Sequence, residues 1–321
     1  MRAIQVSEHG GPEVLRYAEV PDPQVGPGQL LVRTQAIGIN FIDTYIRTGR
    51  YPQSVPYIPG AEGSGVVTAV GADVTEFEVG DRVAWAAAPG SYAEQVVVPA
   101  AVAIPVPDGV DAQVAASALL QGMTAHYLVE SIYKPEPGET VLVHAGAGGV
   151  GLILTQLLAA RGVRVITTVS TDDKEKLSRD AGAAEVLRYD EDIAARVREL
   201  TDGVGVAAAY DGVGASTFEA SLASTRIRGM VALFGAASGP VPPFDLQRLN
   251  ALGSLFVTRP TLVHYTRDRA ELLWRAGDIM NAIADGMLRV RIGGSYPLAR
   301  AEQAHRDLEG RKTTGSIVLV P

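Results

Sequence analysis

The sequence predicts an α/β chain in two parts: a β-rich domain, and a doubly wound parallel sheet of six strands. Three observations predict it. From Glu139 onward, short β-type runs alternate with stretches of helical period, the pattern of a parallel sheet covered on both faces. The first of those runs, "TVLV", feeds the glycine-rich corner "HAGAGGVG", residues 144–151, and an apolar helix follows it directly. The first hundred residues or so instead alternate β-rich runs with Gly and Pro turn signals, as an irregular barrel or sandwich does.

In order, "RAIQV", "LRYAEV", "LLVRTQAIGI", "GSGVVTAVG", "DRVAWAA" and "YAEQVVV" are the expected strands of the β-rich part, separated by "GGPE", "PDPQVGPG" and "FEVG". The segment "DAQVAASALLQGMTAHYLVESI" has helical periodicity, with Asp111 and Thr124 as the expected starts of two helices. The parallel sheet then takes "TVLVHA", "VRVITTV", "AEVLRY", "VAAAYDG", "MVALFG" and "SLFVT", with helices from Val150, Asp172, Asp190 and Ser216 between them. After Pro260 come a long helical segment, "GGSYPL", a helix from Ala299 and the strand "GSIVLVP", a tail that should return to the first domain. The expected division is 1–122, 123–260 and 261–321.

Composition narrows the function classes. With 321 residues there is ample core for two domains. Apolar residues at 47% and charged residues at 20% are ordinary for a soluble globular protein, and no apolar run approaches a membrane span. The N-terminus lacks the regions of a signal peptide, so a cytoplasmic location is the expectation. A net charge of −8 argues against nucleic acid as a partner. The absence of cysteine excludes disulfides, thiolate nucleophiles and thiolate-ligated metals.

Within the corner, Gly146, Gly148 and Gly151 fit G-x-G-x-x-G between a buried-type strand and a helix. Backbone N–H groups at such a helix start approach a pyrophosphate closely, and the helix dipole favours its charge. A dinucleotide is therefore the expected ligand. An NAD-preferring site carries an acidic residue at the tip of the second strand for the ribose 2′-hydroxyl. Here Ser170 and Thr171 hold the tip and Lys174 follows one turn on, a set suited to the 2′-phosphate of NADPH. Asp172 and Asp173 have an independent reason to sit at a helix start, as capping residues. Tyr189, ending the third strand, lies beside the adenine ribose or covers core.

These residues, with "GGPEVL", "AIGINFIDTYIRTGRYP", "PGAEGSGVV", "VGDRV", "QGMTAHYL", "YDGVG", "LFGAASG", "GSLFVTRP", "YPLARAEQAH" and "TTGSIVL", resemble nearly end to end the zinc-free quinone oxidoreductases of the medium-chain dehydrogenase/reductase superfamily. The resemblance implies a GroES-like β-rich catalytic domain plus a Rossmann domain, with the cofactor in the cleft between them. Zinc-dependent relatives use a cysteine where this chain has Asn40, and Gly-His-Glu where it reads Gly60-Ala61-Glu62. The five histidines show no ligand spacing, so no metal is expected and catalysis rests on positioning and neutral hydrogen-bond donors.

By the same resemblance, Asn40, Tyr45 and Tyr51 line the nicotinamide and quinone pocket, where an amide N–H and phenolic O–H groups donate to an oxygen that gains negative charge. The segment that carries them is expected as a loop, with Asp43 as a local helix cap, and Glu62 is expected as a structural residue. Thr124 should lie by the nicotinamide ribose, and Gly148, Gly149 and Val150 at the pyrophosphate. Ser170, Lys174 and Tyr189 surround the adenosine 2′-phosphate. Phe234, Ser238, Phe256, Thr258 and Arg259 should meet the nicotinamide half, and Arg311 should reach in from the returning tail.

The implied activity is NADPH-dependent reduction of a quinone or similar conjugated carbonyl. The rivals are reduction of the C=C bond of an enone or alkenal, and a weakly catalytic NADPH-binding protein of crystallin-like or RNA-binding use. The mainly apolar "GSLFVT" reads as an outermost strand, and pairing with its own copy would give a homodimer.

Overall fold

The computed structural model describes all residues from Met1 to Pro321. They form two compact units, 1–121 with 267–321, and 122–266.

The first unit is built on a seven-stranded sheet. Its strands run in the order Ile292–Pro297, Ser316–Val320, Gln29–Ile39, Glu62–Val70, Arg82–Trp85 and Ile104–Pro105, and Gln95–Pro99 also pairs with Gln29–Ile39. All neighbours are antiparallel except the first two. Along Gln29–Ile39 the residues Leu30, Val32, Thr34 and Ala36 are buried in alternation, the period of a strand with one face on the core. Leu30 and Val32 pack with Val67, Val83, Trp85, Val96 and Val98. Ile37, Ile39, Ile317 and Leu319 form a second cluster with Ile4, Tyr92, Leu298 and Leu308. The returning tail supplies Ser316–Val320, whose Ile317 lies opposite Ile39.

The expected pair of helices starting at Asp111 and Thr124 is one helix, Ala112–Tyr127. Asp111 does open it, its Oδ1 accepting the Gln113 N–H at 2.8 Å. Thr124 lies in the interior and is buried, as are Ala115, Ala116, Ala118, Leu119, Met123, Ala125 and Tyr127 around it. Burial of so many apolar neighbours outweighs the weak helix propensity that makes threonine look like a boundary.

The second unit is the six-stranded parallel sheet, ordered Glu185–Arg188, Arg164–Val169, Thr140–Val143, Val206–Asp211, Thr225–Leu233, Phe256–Thr258. In chain order that is 3-2-1-4-5-6, so the connection reverses between Thr140–Val143 and Val206–Asp211, the switch point where such sheets take a ligand. Every residue of Val206–Asp211 is buried, which explains its unbroken "VAAAY" run. Helices Gly149–Ala159, Asp172–Asp180, Ile193–Leu200 and Phe218–Ser224 fill the crossovers. The third starts three residues after the expected Asp190, because the side chain of Asp192 caps it by accepting the Ala195 N–H at 3.0 Å. The outermost strand is only Phe256–Thr258. Leu255 precedes it and is buried, so the exposed apolar surface of this edge is Phe256 and Val257.

Candidate active site

In the second unit, Thr140–Val143 delivers the chain to the switch point and the helix Gly149–Ala159 carries it away. The turn between them is tight enough that two glycines are sterically required. A Cβ on Gly146 would sit 2.6 Å from Thr167 Cβ, and one on Gly151 would collide with the Ala145 carbonyl oxygen. Gly148 differs. It is the N-cap, it offers no side-chain acceptor to the first turn, and a Cβ there would come no nearer than 3.3 Å to any atom. Its missing side chain therefore leaves room in front of the helix, where the N–H groups of Gly149 and Val150 face outward for an anion. Ala145 holds a left-handed φ of 55°, and its N–H donates to Tyr189 Oη at 2.9 Å. The Tyr189 ring stacks on His144, so Tyr189 closes the corner from the side of the third strand.

At the tip of the second strand, Lys174 Nζ lies 3.3 Å from Ser170 Oγ, and the Thr171 hydroxyl accepts the Lys174 N–H at the helix start. The acidic residue that confuses the sequence is accounted for. Arg188 Nη2 donates to Asp172 at 2.6 Å and to Glu175 at 2.7 Å, while its Nη1 is buried with no partner. Sequence reasoning missed Arg188. The signal was available, since the last residue of the third strand stands beside Val169, the last of the second.

At the carboxyl ends of the later strands, Arg259 Nη1 donates to the Phe234 carbonyl at 3.0 Å. Ser238 Oγ donates to Val213 O and accepts the Ser216 N–H, and Thr258 lies opposite Ala232. Phe234, Ser238, Thr258 and Arg259 are thus brought to one end of the sheet. Phe256 is not among them. It starts its strand, opposite Met230, and is 59% exposed on the sheet edge. Thr124 is buried in its helix, and Arg311 belongs to the first unit, just past the helix Ala301–Glu309 with a φ of 56°.

In the first unit, the segment expected as a loop is the helix Phe41–Arg47, with Asn40 as its N-cap. Asp43 is not the cap. It occupies the third helical position and accepts the Asn40 backbone N–H at 2.9 Å. Tyr45 is therefore buried in a helix, and Tyr51, more than a third exposed, meets it edge-on with ring centroids 5.6 Å apart. The Arg50 guanidinium lies over the Tyr45 ring at 4.8 Å.

The Asn40 amide is bound on both sides. Its Nδ2 donates to Glu62 Oε2 at 2.6 Å, and its Oδ1 accepts from Gln121 Nε2 at 3.2 Å. Glu62 Oε1 accepts the Leu120 N–H at 2.7 Å. Complete burial pushes the Glu62 carboxyl up to about 8, the hydrogen bonds from Leu120 and Asn40 opposing that rise. Burial likewise pushes Asp43 up to about 6, against the Asn40 N–H and the Tyr92 O–H that it accepts. Tyr92 also meets His305 Nε2 at 2.9 Å, and Arg47 Nη1 lies 2.8 Å from His305 Nδ1. Desolvation first, then the Arg47 charge, hold His305 down at about 3. Arginine can only donate, so His305 Nδ1 accepts and its Nε2–H faces Tyr92.

No group of three or more His, Cys, Asp or Glu side chains is arranged to hold a metal. Where zinc-dependent relatives place ligands, this chain has Asn40, Ala61 and a Glu62 whose two oxygens are already engaged. These residues do not fit zinc.

Two family models match the chain: "alcohol dehydrogenase GroES-like domain" over residues 26–108, and "zinc-binding dehydrogenase" over residues 149–272. The chain is 46% identical to a quinone oxidoreductase of Pseudomonas aeruginosa, over 100% of this chain and 99% of that one. It is 40% identical to a 2-haloacrylate reductase of a Burkholderia species, over 99% and 98%. Among solved structures, a mycobacterial protein complexed with NADPH superposes with a TM-score of 0.98 at 58% identity, covering 100% of both chains. The Escherichia coli quinone oxidoreductase complexed with NADPH gives 0.98 at 40%, again over 100% of both.

Proposed function

The chain belongs to the quinone oxidoreductase branch of the medium-chain dehydrogenase/reductase superfamily, and from that premise we propose that it is an NADPH-dependent quinone oxidoreductase working without zinc. The observation that carries the cofactor choice is the strand tip. Lys174 and Ser170 stand together there, and Arg188 pairs with Asp172, the carboxylate that would otherwise repel a phosphate. When bound, NADPH supplies hydride from C4 of its nicotinamide.

Gly148, Gly149 and Val150 would hold the pyrophosphate on their N–H groups. Ser170, Lys174 and Arg188 would take the 2′-phosphate, with Tyr189 beside the adenosine. Phe234, Ser238, Thr258 and Arg259 would serve the nicotinamide half, with Thr124 and Arg311 as further contacts; Phe256 fits the sheet edge better. Asn40, Tyr45 and Tyr51 would receive the acceptor, the amide and phenol groups donating to its oxygen as charge develops there and the rings packing on its flat face. We further infer a homodimer joined along Phe256–Thr258 and a cytoplasmic location. The exposed Phe256 and Val257 on an unpaired edge support the former.

The test is NADPH oxidation, followed by absorbance, with quinones, enones and no acceptor. Quinone-dependent oxidation well above the other two supports the assignment. The 40% identity to a 2-haloacrylate reductase favours C=C reduction as the second reading, and faster turnover of enones or haloacrylates than of any quinone would establish it.

A further inference from the structure

The hydrogen bonds around Asn40 continue beyond its immediate partners. Gln121 Oε1 accepts from Ser316 Oγ at 2.7 Å, so Ser316, Gln121, Asn40 and Glu62 form one line of side chains. None is more than 7% exposed. A carboxylate only accepts, so the Asn40 atom facing Glu62 must be nitrogen. The oxygen then faces Gln121, which must present its own nitrogen, and Gln121's oxygen faces the Ser316 hydroxyl. Each choice forces the next. We propose that Glu62, Gln121 and Ser316 are positioning residues which fix the direction of the Asn40 amide, leaving its second N–H, on the Glu62 side, as the donor offered to the acceptor's oxygen. The proposal rests on Asn40 meeting that acceptor.

The same geometry defines how the line reverses. Glu62 Oε1 is held by the Leu120 N–H, so a protonated Glu62 would carry its hydrogen on Oε2 and donate it to Asn40. The amide would turn its oxygen to Glu62, Gln121 would turn its oxygen to Asn40, and Ser316 would become an acceptor. Each bond along the line from Glu62 to Ser316 is kept, but an oxygen now stands where the donor stood. Asp43 is the one other charged group whose field reaches Glu62, and it raises the Glu62 pKa in the same sense as burial does. The donor direction is therefore the high-pH one, gained as pH rises through about 8.

Single-turnover oxidation of NADPH by a quinone tests this, read at pH 9 beside the NADPH dissociation constant. Asn40→Ala should slow hydride transfer, which establishes the underlying role; an unaltered rate refutes that role, and the positioning proposal with it. Glu62→Gln forces the reversed line and should slow hydride transfer at least roughly ten-fold, with NADPH binding unchanged. Gln121→Glu should do the same by demanding the Asn40 nitrogen, and serves if the first variant does not fold. The double variant Glu62→Gln with Gln121→Glu satisfies both bonds of Asn40 in the reversed direction, Ser316 still donating to residue 121. It should regain thermal stability without regaining rate, whereas a purely structural role would restore both. In the unaltered protein the rate should rise through about pH 8, and this rise should vanish in Glu62→Gln. A slow Asn40→Ala beside a fast Glu62→Gln, a double variant that recovers its rate, or an unaltered protein whose rate is flat from pH 6 to pH 9 overturns the proposal.

Discussion

Lys174 stands 3.3 Å from Ser170 Oγ, and Asp172 is paired with Arg188. If that ammonium meets a 2′-phosphate, Lys174→Ala should raise the dissociation constant for NADPH roughly ten- to hundred-fold and leave NADH almost unaffected. Titration of intrinsic fluorescence with each nucleotide reads the difference, and equal weakening of both would refute the assignment. Tyr92 offers a second residue-scale test. Its hydroxyl joins Asp43 to His305 in full burial, so Tyr92→Phe leaves two buried groups short of a partner. The expected cost is about 1–3 kcal/mol in guanidinium unfolding. Tyr92 was invisible as a polar residue in the sequence, since nothing in "GSYAEQ" says what lies 213 positions away. Arg188 was legible in principle, because strand order alone puts it beside the second strand's tip.

The backbone geometry of the glycine corner, by contrast, was legible, because its demands are local. The strand, the turn and the helix are contiguous, and the glycines' spacing encodes the close approaches that the backbone makes. Gly151→Ala should therefore abolish NADPH binding and lower the melting temperature, its Cβ colliding with Ala145 O. The same variant with unaltered binding would mean that the turn has slack it does not display. Elements whose form depends on distant burial were misjudged. Thr124 resembles a helix start, but buried neighbours carry the helix through it. Tyr45 resembles a loop aromatic and lies inside a helix. The sheet edge needed the same correction, since Leu255 is core and substitution there would injure the fold rather than test pairing. Val257→Lys is the sound probe. It should shift the particle from dimer to monomer in light scattering at micromolar concentration, and a particle that is monomeric before substitution removes the pairing.

For the whole protein, exhaustive chelation should leave quinone reduction intact and metal analysis should find no stoichiometric zinc, because Asn40, Ala61 and the engaged Glu62 offer no ligand set. Loss of activity with EDTA that added zinc restores would overturn this. The chain's division into 1–121 with 267–321, and 122–266, makes the second unit an insertion within the first. Its six strands and their crossovers are contiguous, whereas Gln29–Ile39 must wait for Ser316–Val320, paired with it across some 280 positions. During synthesis the inserted sheet can therefore assemble while the β-rich unit is still missing a central strand, holding an uncovered edge and half a core in the nascent chain. Chaperone dependence and aggregation should accordingly be properties of the N-terminal third. Removing residues 316–321 should leave a product in which protease-resistant fragments map to 122–266 alone.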